Sequence, residues 1–368
     1  MLKMVFKVIL ILALTAVVLL AVGLAFLRFW PSVGRMPDKD ERVELEQRSV
    51  HYQDGKFHNE HETATMTGKA DPTSDRRKPR ETLRAETPDF LTAPQTDALR
   101  CTWFGHSSFL LQLVEMSILA DPVFSDRSSP VSFAGPKRFS ELPITAEDLP
   151  EIDVLFVSHD HYDHLDYRTI RALKDRVAAF IVPLGVDAIL RGWGVAAEKI
   201  HALDWWESAE INGVTCTLTP SQHFSGRNPL KSNSTLWGGL YIESGSRRVY
   251  YTGDGGYYEV FSEVRERLGA PELMIAECGQ YDSAWAKIHM TPEQTVQAAV
   301  DAGAVWLIPV HWGSFCICNH AWDDSIRRVT AAAETAGVMT ATPEIGRTVD
   351  YNDLSDCTRR WWEAYESP

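Results

Sequence analysis

Val154-Leu155-Phe156-Val157-Ser158-His159-Asp160-His161-Tyr162-Asp163-His164 is the stretch that decides how this chain is read. Its first four residues are apolar, with a β-branched valine at each end, and predict a buried strand. Directly after them, His159, His161, Asp163 and His164 form the pattern HxHxDH. The cluster therefore sits at the mouth of a strand, where the chain turns and side chains can converge. Imidazole and carboxylate groups are the preferred ligands of zinc and similar divalent ions. A single His-x-His often marks only a solvated loop. Four ligand-bearing side chains at this density, after a core strand, are hard to explain by solvation.

Three further positions follow the same rule. His223, in Pro220-Ser221-Gln222-His223, lies beyond a predicted strand at 215–219. Asp254, in Gly253-Asp254-Gly255-Gly256, lies beyond one at 248–252. His311, in His311-Trp312-Gly313, lies beyond one at 305–310. Loops at strand ends are where a rigid scaffold gathers residues distant in sequence. Each position alone is unremarkable. Together with the first cluster they make seven ligands, five His and two Asp. That count suits two adjacent metal ions with a bridging carboxylate and an open position for water.

The rest of the pattern indicates the fold class. Strands are predicted at 101–104, 108–114 and 116–120 as a meander, and at 179–182. Glu210-Ile211-Asn212-Gly213-Val214-Thr215 reads as a hairpin turn. A strand pair is predicted at 236–242 and 248–252, with further strands at 273–276 and 305–310. Helices are predicted at 167–174, 186–191, 258–268 and 323–336. Another opens at Thr291-Pro292-Glu293, with Thr at the cap and Pro at the first helical position. Strands come first in runs and then alternate with helices. An α/β arrangement of two sheets packed face to face, helices outside, fits this order better than a simple parallel sheet.

Composition bounds the partners. The 368 residues suffice for one large or two small domains. A hydrophobic content of 45% supports a sizeable core. The formal net charge of −14 argues against nucleic acid as a main partner, and against docking on an anionic membrane by charge alone. Among twelve tryptophans, the pairs Trp205-Trp206 and Trp361-Trp362 read as core and rim packing, the other reading being a surface for lipid or an apolar substrate. The six cysteines form no disulfide framework. Cys316 and Cys318 are too close for an easy mutual bridge and read as free thiols near the site.

The amino-terminal end differs from everything else. Residues 8–27 form an uncharged, strongly apolar run, preceded by Lys3 and Lys7 and followed by Arg28. Its length matches a membrane-spanning helix. A cleaved signal peptide is the competing reading, but its apolar core is usually shorter and its A-x-A site is poorly matched by Gly23-Leu24-Ala25. The expectation is an uncleaved, single-pass anchor. Its side is undecided, because Lys3 and Lys7 are balanced by Arg28, Arg35 and Lys39. Residues 31–97 are polar and poor in periodic apolar pattern, as expected of a membrane-proximal extension. Within it, Arg76-Arg77-Lys78-Pro79-Arg80 reads as a solvated charged face or a contact with lipid phosphates.

The ligand set resembles that of the metallo-β-lactamase superfamily. The likeness is closer to one group within it, the N-acyl-phosphatidylethanolamine-hydrolysing phospholipases D. It is carried by Thr102-Trp103-Phe104-Gly105-His106, Leu119-Ala120-Asp121-Pro122-Val123-Phe124, Gly135-Pro136-Lys137-Arg138-Phe139, Asp163-His164-Leu165-Asp166-Tyr167, Val182-Pro183-Leu184-Gly185, Leu203-Asp204-Trp205-Trp206-Glu207, Thr219-Pro220-Ser221-Gln222-His223 and Val310-His311-Trp312-Gly313. The resemblance runs over residues 55–350 or so. It implies a four-layer αβ/βα metallo-β-lactamase sandwich, expected over residues 98–368; the anchor at 1–28, ahead of the polar extension at 29–97, has no counterpart in the animal enzymes of that group. It implies two Zn²⁺ per chain, with iron or manganese as alternatives. His159, His161 and His223 would hold one ion, Asp163, His164 and His311 the other, and Asp254 would bridge them. The implied reaction releases phosphatidic acid and an N-acylethanolamine, through attack on phosphorus by a hydroxide shared between the metals. Asp163 would also hold the hydroxide's proton, and His289 would orient the phosphate or move a proton. Gly255 stands where that group commonly has Thr. His106 is read equally as a hydrogen-bonded turn residue or as a support to the ligands.

The implied partners are a phospholipid substrate and a membrane, and a homodimer is a candidate assembly. A hydrolase of a soluble substrate on the same fold, such as a sugar-phosphate lactonase or a β-lactam hydrolase, is the competing reading, since fold does not fix function. A non-catalytic metal-binding protein is the weakest, because it has no need of an open dinuclear site.

Overall fold

The computed structural model describes residues 2–90, 98–114 and 116–365. Residues 91–97, at whose end the boundary between extension and hydrolase unit is expected, lie outside them. Two seven-stranded mixed sheets form the centre. The first runs Thr348–Asp350, Arg100–Trp103, Phe109–Leu113, Met116–Ala120, Ile152–Phe156, Val177–Pro183, Ile200–Leu203. Its pairings are antiparallel up to Met116–Ala120 and parallel beyond. The second runs Met339–Thr340, Trp306–Val310, Leu273–Glu277, Arg247–Tyr251, Gly239–Ser244, Val214–Thr219, Ser208–Ile211. It is parallel on the Met339 side and antiparallel from Arg247–Tyr251 onward.

Period-two burial on both faces explains why these strands read as nearly continuous apolar runs. Phe109, Leu111, Ile118, Ala120 and Phe156 point into the core shared with the second sheet. Leu110, Leu119, Leu155 and Val157 point the other way, onto Ile170, Leu173, Ile189 and Leu190 of the helices Tyr167–Leu173 and Val186–Gly192. Val260, Val264, Val296, Ile326 and Val329, on Val260–Leu268, Pro292–Ala302 and Asp324–Ala336, join the shared core from the second sheet's side. The result is an α/β sandwich of the expected layering.

Local signals act as their chemistry demands. Asn212 and Gly213 both take positive φ, +51° and +79°, which closes the hairpin between Ser208–Ile211 and Val214–Thr219. Thr291 caps Pro292–Ala302 in a reciprocal capping box with Gln294. One expectation shifts. The strand predicted from 236 begins only at Gly239. Leu236 N–H instead donates to Leu184 O at 2.8 Å and Gly238 N–H to Ser158 O at 3.0 Å. Those bonds lead the chain out of its own sheet and tie the two sheets together at the site's edge.

Residues 31–90 are laid over the sandwich. A helix at Lys39–Arg48, capped by Asp38, buries only Leu45, so its apolar pattern is silent in the sequence. Asn59 Nδ2 donates to His223 O at 2.8 Å. In the basic cluster, Arg76 donates to Asp323 at 2.7 Å and Arg77 to Cys318 O at 2.7 Å, so these two cations serve attachment to the body. Ahead of them stands the helix Leu2–Phe29. It is long and apolar enough to cross a membrane, and none of its apolar window is buried.

Candidate metal centre

All seven expected ligands meet at one edge of the sandwich. Ile152–Phe156 delivers the first four through the turn that follows it. Val214–Thr219, Arg247–Tyr251 and Trp306–Val310 deliver His223, Asp254 and His311 from the ends of the second sheet's strands. Two groups form. The ligand atoms of His159, His161 and His223 lie within 4.8 Å of one another, and so do those of Asp163, His164, His311 and His106. Asp254 stands between them: its Oδ2 is 3.0 Å from His164 Nε2, 3.3 Å from His311 Nε2 and 3.9 Å from His159 Nε2. His311 has φ +69°, and Gly253, just before Asp254, has φ +61°. A Cβ on Gly253 would fall 2.6 Å from Gly238 O, so this tight turn needs glycine.

The outer hydrogen bonds decide which nitrogen each ring presents. Ser158 Oγ donates to Asp121 Oδ2 at 2.6 Å. Its single hydrogen being spent, His159 Nδ1–H donates to Ser158 Oγ at 2.9 Å. His164 Nδ1 donates to Asp121 Oδ2 at 2.7 Å, and His223 Nδ1 to Ile288 O at 2.9 Å. His311 Nδ1 bonds Ser107 Oγ at 2.9 Å. Each of these four rings is held by Nδ1 and turns Nε2 inward. His161 is reversed: its Nδ1 faces His159 Nε2 at 2.9 Å and His223 Nε2 at 3.4 Å. Rings oriented by an outer partner are a feature of metal-binding histidines.

Two observations test whether a cation suits the cluster. Asp254 Oδ1 is buried without a hydrogen-bond partner, a costly state unless something coordinates it, and His164 Nε2 is aimed at two carboxylate oxygens, of Asp254 at 3.0 Å and Asp163 at 3.5 Å. The charge balance agrees. Burial pushes the Asp163 and Asp254 carboxyls up, but His164 and the other imidazoles outweigh it and hold both well below the usual range. Burial likewise opposes charge on His164, yet Asp254, Asp163 and Asp121 hold it well above its ordinary value. His159, His223 and His311 are driven well below theirs by burial and so offer lone pairs. Ionised buried carboxylates beside the neutral imidazoles of His159, His223 and His311 form a donor set that fits a divalent cation.

A β-lactamase superfamily domain signature matches residues 117–312. The chain belongs to the β-lactamase superfamily. An uncharacterized protein of Mycobacterium tuberculosis is 43% identical over 256 residues, covering 68% of each chain. N-acyl-phosphatidylethanolamine-hydrolyzing phospholipase D 1 of Caenorhabditis elegans is 37% identical over 230 residues, 59% of this chain and 64% of that relative. This chain therefore spans under two thirds of the nematode protein. Among solved structures, Igni18, a metallo hydrolase of Ignicoccus hospitalis, superposes with a TM-score of 0.53 at 19% identity, over 69% of this chain and 98% of its own. Family, fold and ligand clusters make this superfamily member a metal-dependent hydrolase with at least one metal site.

Around the cluster, this superfamily member places groups that sequence reasoning reached unevenly. His289 lies beside His223 and His311, ring centroids 5.1 and 5.3 Å away. Its Nδ1 donates to Glu277 Oε2 at 2.7 Å. Burial works against charge on His289, but Glu277 overcomes it and raises the imidazole to about 9. Burial raises Glu277 too, to about 7, against the pull of His289. His106 is a support to Asp163 as well as a turn residue: its Nε2 donates to Asp163 Oδ2 at 2.9 Å, and its backbone, at φ +52°, pairs with His311 and Trp312. Gly255 N–H donates to Glu277 Oε1 at 2.8 Å, and a Cβ there would meet Ser221 at 3.0 Å. Asp121, Glu277 and Ser107 carried no metal-ligand spacing, and sequence reading did not single them out. Asp121 did lie within a quoted motif, at the end of a predicted strand. Cys316 and Cys318 are free thiols and belong to neither ligand group. Trp205, Trp361 and Trp362 are core residues.

Proposed function

We propose that the cluster holds two transition-metal ions, zinc by preference, and hydrolyses an ester-type bond. His159, His161 and His223 hold one ion, Asp163, His164 and His311 the other, and Asp254 lies between them. The observation that carries this reading is Asp254 Oδ2 within 3.9 Å of three inward-facing Nε2 atoms. Bound metals would supply Lewis acidity and a water acidified towards neutrality. The chain's own groups supply the rest. His106 fixes Asp163, which is placed to hold the attacking water's proton. Glu277 fixes His289 by its Nδ1, leaving Nε2 for a substrate oxygen or a proton in transit. Metal-dependent hydrolysis in general has the broadest support, and a soluble lactone or β-lactam substrate is compatible with it.

The finer reading is cleavage of N-acyl-phosphatidylethanolamine to phosphatidic acid and N-acylethanolamine. It is supported by the long motif resemblance, the nematode relative and the apolar helix, which we read as a single-pass anchor. Geometry adds support. Arg227 Nε donates to Ser32 O at 2.8 Å, just past that helix, while its Nη1 donates to Asp160 O at 2.9 Å and Leu165 O at 2.7 Å. One side chain thus joins the root of the helix to both ends of the ligand-bearing turn.

The test is metal analysis with a hydrolysis panel. Purified protein should carry close to two ions per chain, and Asp254→Ala should lose part of the metal and most turnover. Wild-type metal and turnover in Asp254→Ala would remove the central role of that carboxylate. Efficient opening of a lactone or β-lactam, with every phospholipid intact, would replace the lipid reading by the soluble one.

A further inference from the structure

A cavity of about 890 Å³ opens at the foot of the apolar helix. Leu24 and Leu27 form one wall, and Trp30 and Trp193 flank it. Besides Arg35, four cations line it: Arg28, Arg42, Arg171 and Lys231. Asp38 is the only carboxylate in the lining, and Arg35 already lies 3.4 Å from it. Among the described residues none of the four cations forms an ion pair. Arg42 Nε and Arg171 Nη1 bond only to carbonyls, of Asp38 and Trp193. In a chain of net charge −14, unpaired cations around one cavity are a local reversal that calls for an anion.

Depth indicates which anion. A helix over Lys3–Phe29 is roughly 40 Å long at 1.5 Å per residue, longer than a hydrocarbon core of about 30 Å. Its last turn therefore falls among the headgroups, where tryptophan and arginine are favoured. The cavity's apolar wall continues that helix, and its cations lie just beyond the helix end. The wall is also fixed to the body: Trp193 Nε1 donates to Pro31 O at 2.8 Å, and Trp30 Nε1 to Pro130 O at 2.7 Å.

We propose that this cavity seats the phosphate headgroup of an anionic phospholipid from the surrounding bilayer, separate from the metal centre, and so sets the hydrolase body against the membrane. The inference rests on reading Leu2–Phe29 as membrane-spanning. The bound lipid would place its phosphate among Arg28, Arg42, Arg171 and Lys231 and its chains along Leu24 and Leu27.

The test uses the full-length, metal-loaded protein in nanodiscs of mixed phosphatidylcholine and phosphatidylglycerol, with retained lipid counted by native mass spectrometry. Wild type should retain phosphatidylglycerol in preference to phosphatidylcholine. An Arg42→Gln/Lys231→Gln double variant should lose at least tenfold of that preference, at about fivefold per cation removed, while hydrolysing a soluble phosphodiester normally. Arg28→Gln, measured alone, should lose part of it. A wild type without headgroup preference, or a double variant that keeps it, would overturn the seat. Displacement of the lipid by glycerol 3-phosphate would also overturn it, in favour of a soluble phosphate ligand. Release of the protein from membranes by alkaline carbonate would remove the anchor, and the seat with it. Lost preference with the anchor intact removes the seat alone.

Discussion

Asp121 accepts four hydrogen bonds on one buried carboxylate. Ser158 N–H reaches Oδ1 at 2.7 Å, and Ser158 Oγ, Tyr251 OH and His164 Nδ1 reach Oδ2 at 2.6, 2.6 and 2.7 Å. It thereby orients His164 directly and His159 through Ser158. In Asp121→Asn an amide NH₂ must face donors at one of those positions. Metal affinity should fall about 10–100-fold, the usual loss when an orienting partner of a ligand is removed. Competition against a chelator measures it, and unchanged affinity would deny Asp121 this role. His289 makes the opposite prediction. It is held by Glu277 and stands outside the seven proposed ligands, so His289→Ala should lower turnover by roughly 10²-fold, a typical acid–base or positioning loss. Metal content should stay at the wild-type level. Normal turnover, or loss of metal, would show that His289 has another part.

Among the elements, the helix Lys39–Arg48 depends on charge more than on apolar burial. Glu41 accepts from Arg35 at 2.6 and 2.7 Å and from Arg191 at 2.6 Å, which ties this helix to Val186–Gly192. The Arg35 hydrogen bonds hold Glu41 down at about 2, against burial, with help from Asp38 N–H and Arg191. A depressed carboxylate stabilises the fold above its unfolded value, here 4.5, and loses that contribution as pH falls from there towards about 2. Glu41→Gln should therefore lower stability at neutral pH by ~1 kcal/mol, a modest figure because both arginines are about one-third exposed. The difference in melting temperature from wild type should shrink through that acid window. A gap that is constant from neutral pH to pH 3 would contradict the ion-pair account.

For the whole molecule, the apolar helix and the sandwich are separable in their packing. None of the helix's apolar window is buried, and the body meets only its last turns, where Asn228 Nδ2 donates to Leu27 O at 3.4 Å, before the firmer contacts of Trp30 and the turn Pro31–Val33. A chain beginning at Trp30 should stay in solution, keep its metal and hydrolyse a soluble phosphodiester as the full chain does. On lipid vesicles it should be slower by about 10-fold or more, because the anchor's gain in local substrate concentration is gone. Equal rates on vesicles for the two forms would separate the helix from substrate access.

Local physics made much of this protein legible from its residues alone. Strands such as Phe109–Leu113 and Ile152–Phe156 are apolar on both faces, so their positions and the two-sheet order followed from pattern. Asn212-Gly213 and Thr291-Pro292 marked a turn and a helix start through backbone conformation and capping that depend on neighbours only. The seven candidate ligands were visible because four crowd into one turn and each of the others follows an apolar run. Only the tertiary structure decided how those ligands are held. Tyr251 reaches Asp121 across 130 positions of sequence, Arg227 reaches Ser32 across 195, and His106 reaches Asp163 across 57. Such contacts leave no local period or spacing. The same holds for the helix Lys39–Arg48, whose support comes from Arg191, 150 positions away from Glu41. Which nitrogen each histidine turns inward was likewise beyond the sequence, because it depends on a partner for the other nitrogen, and for His164, His223 and His311 folding brings that partner from elsewhere in the chain.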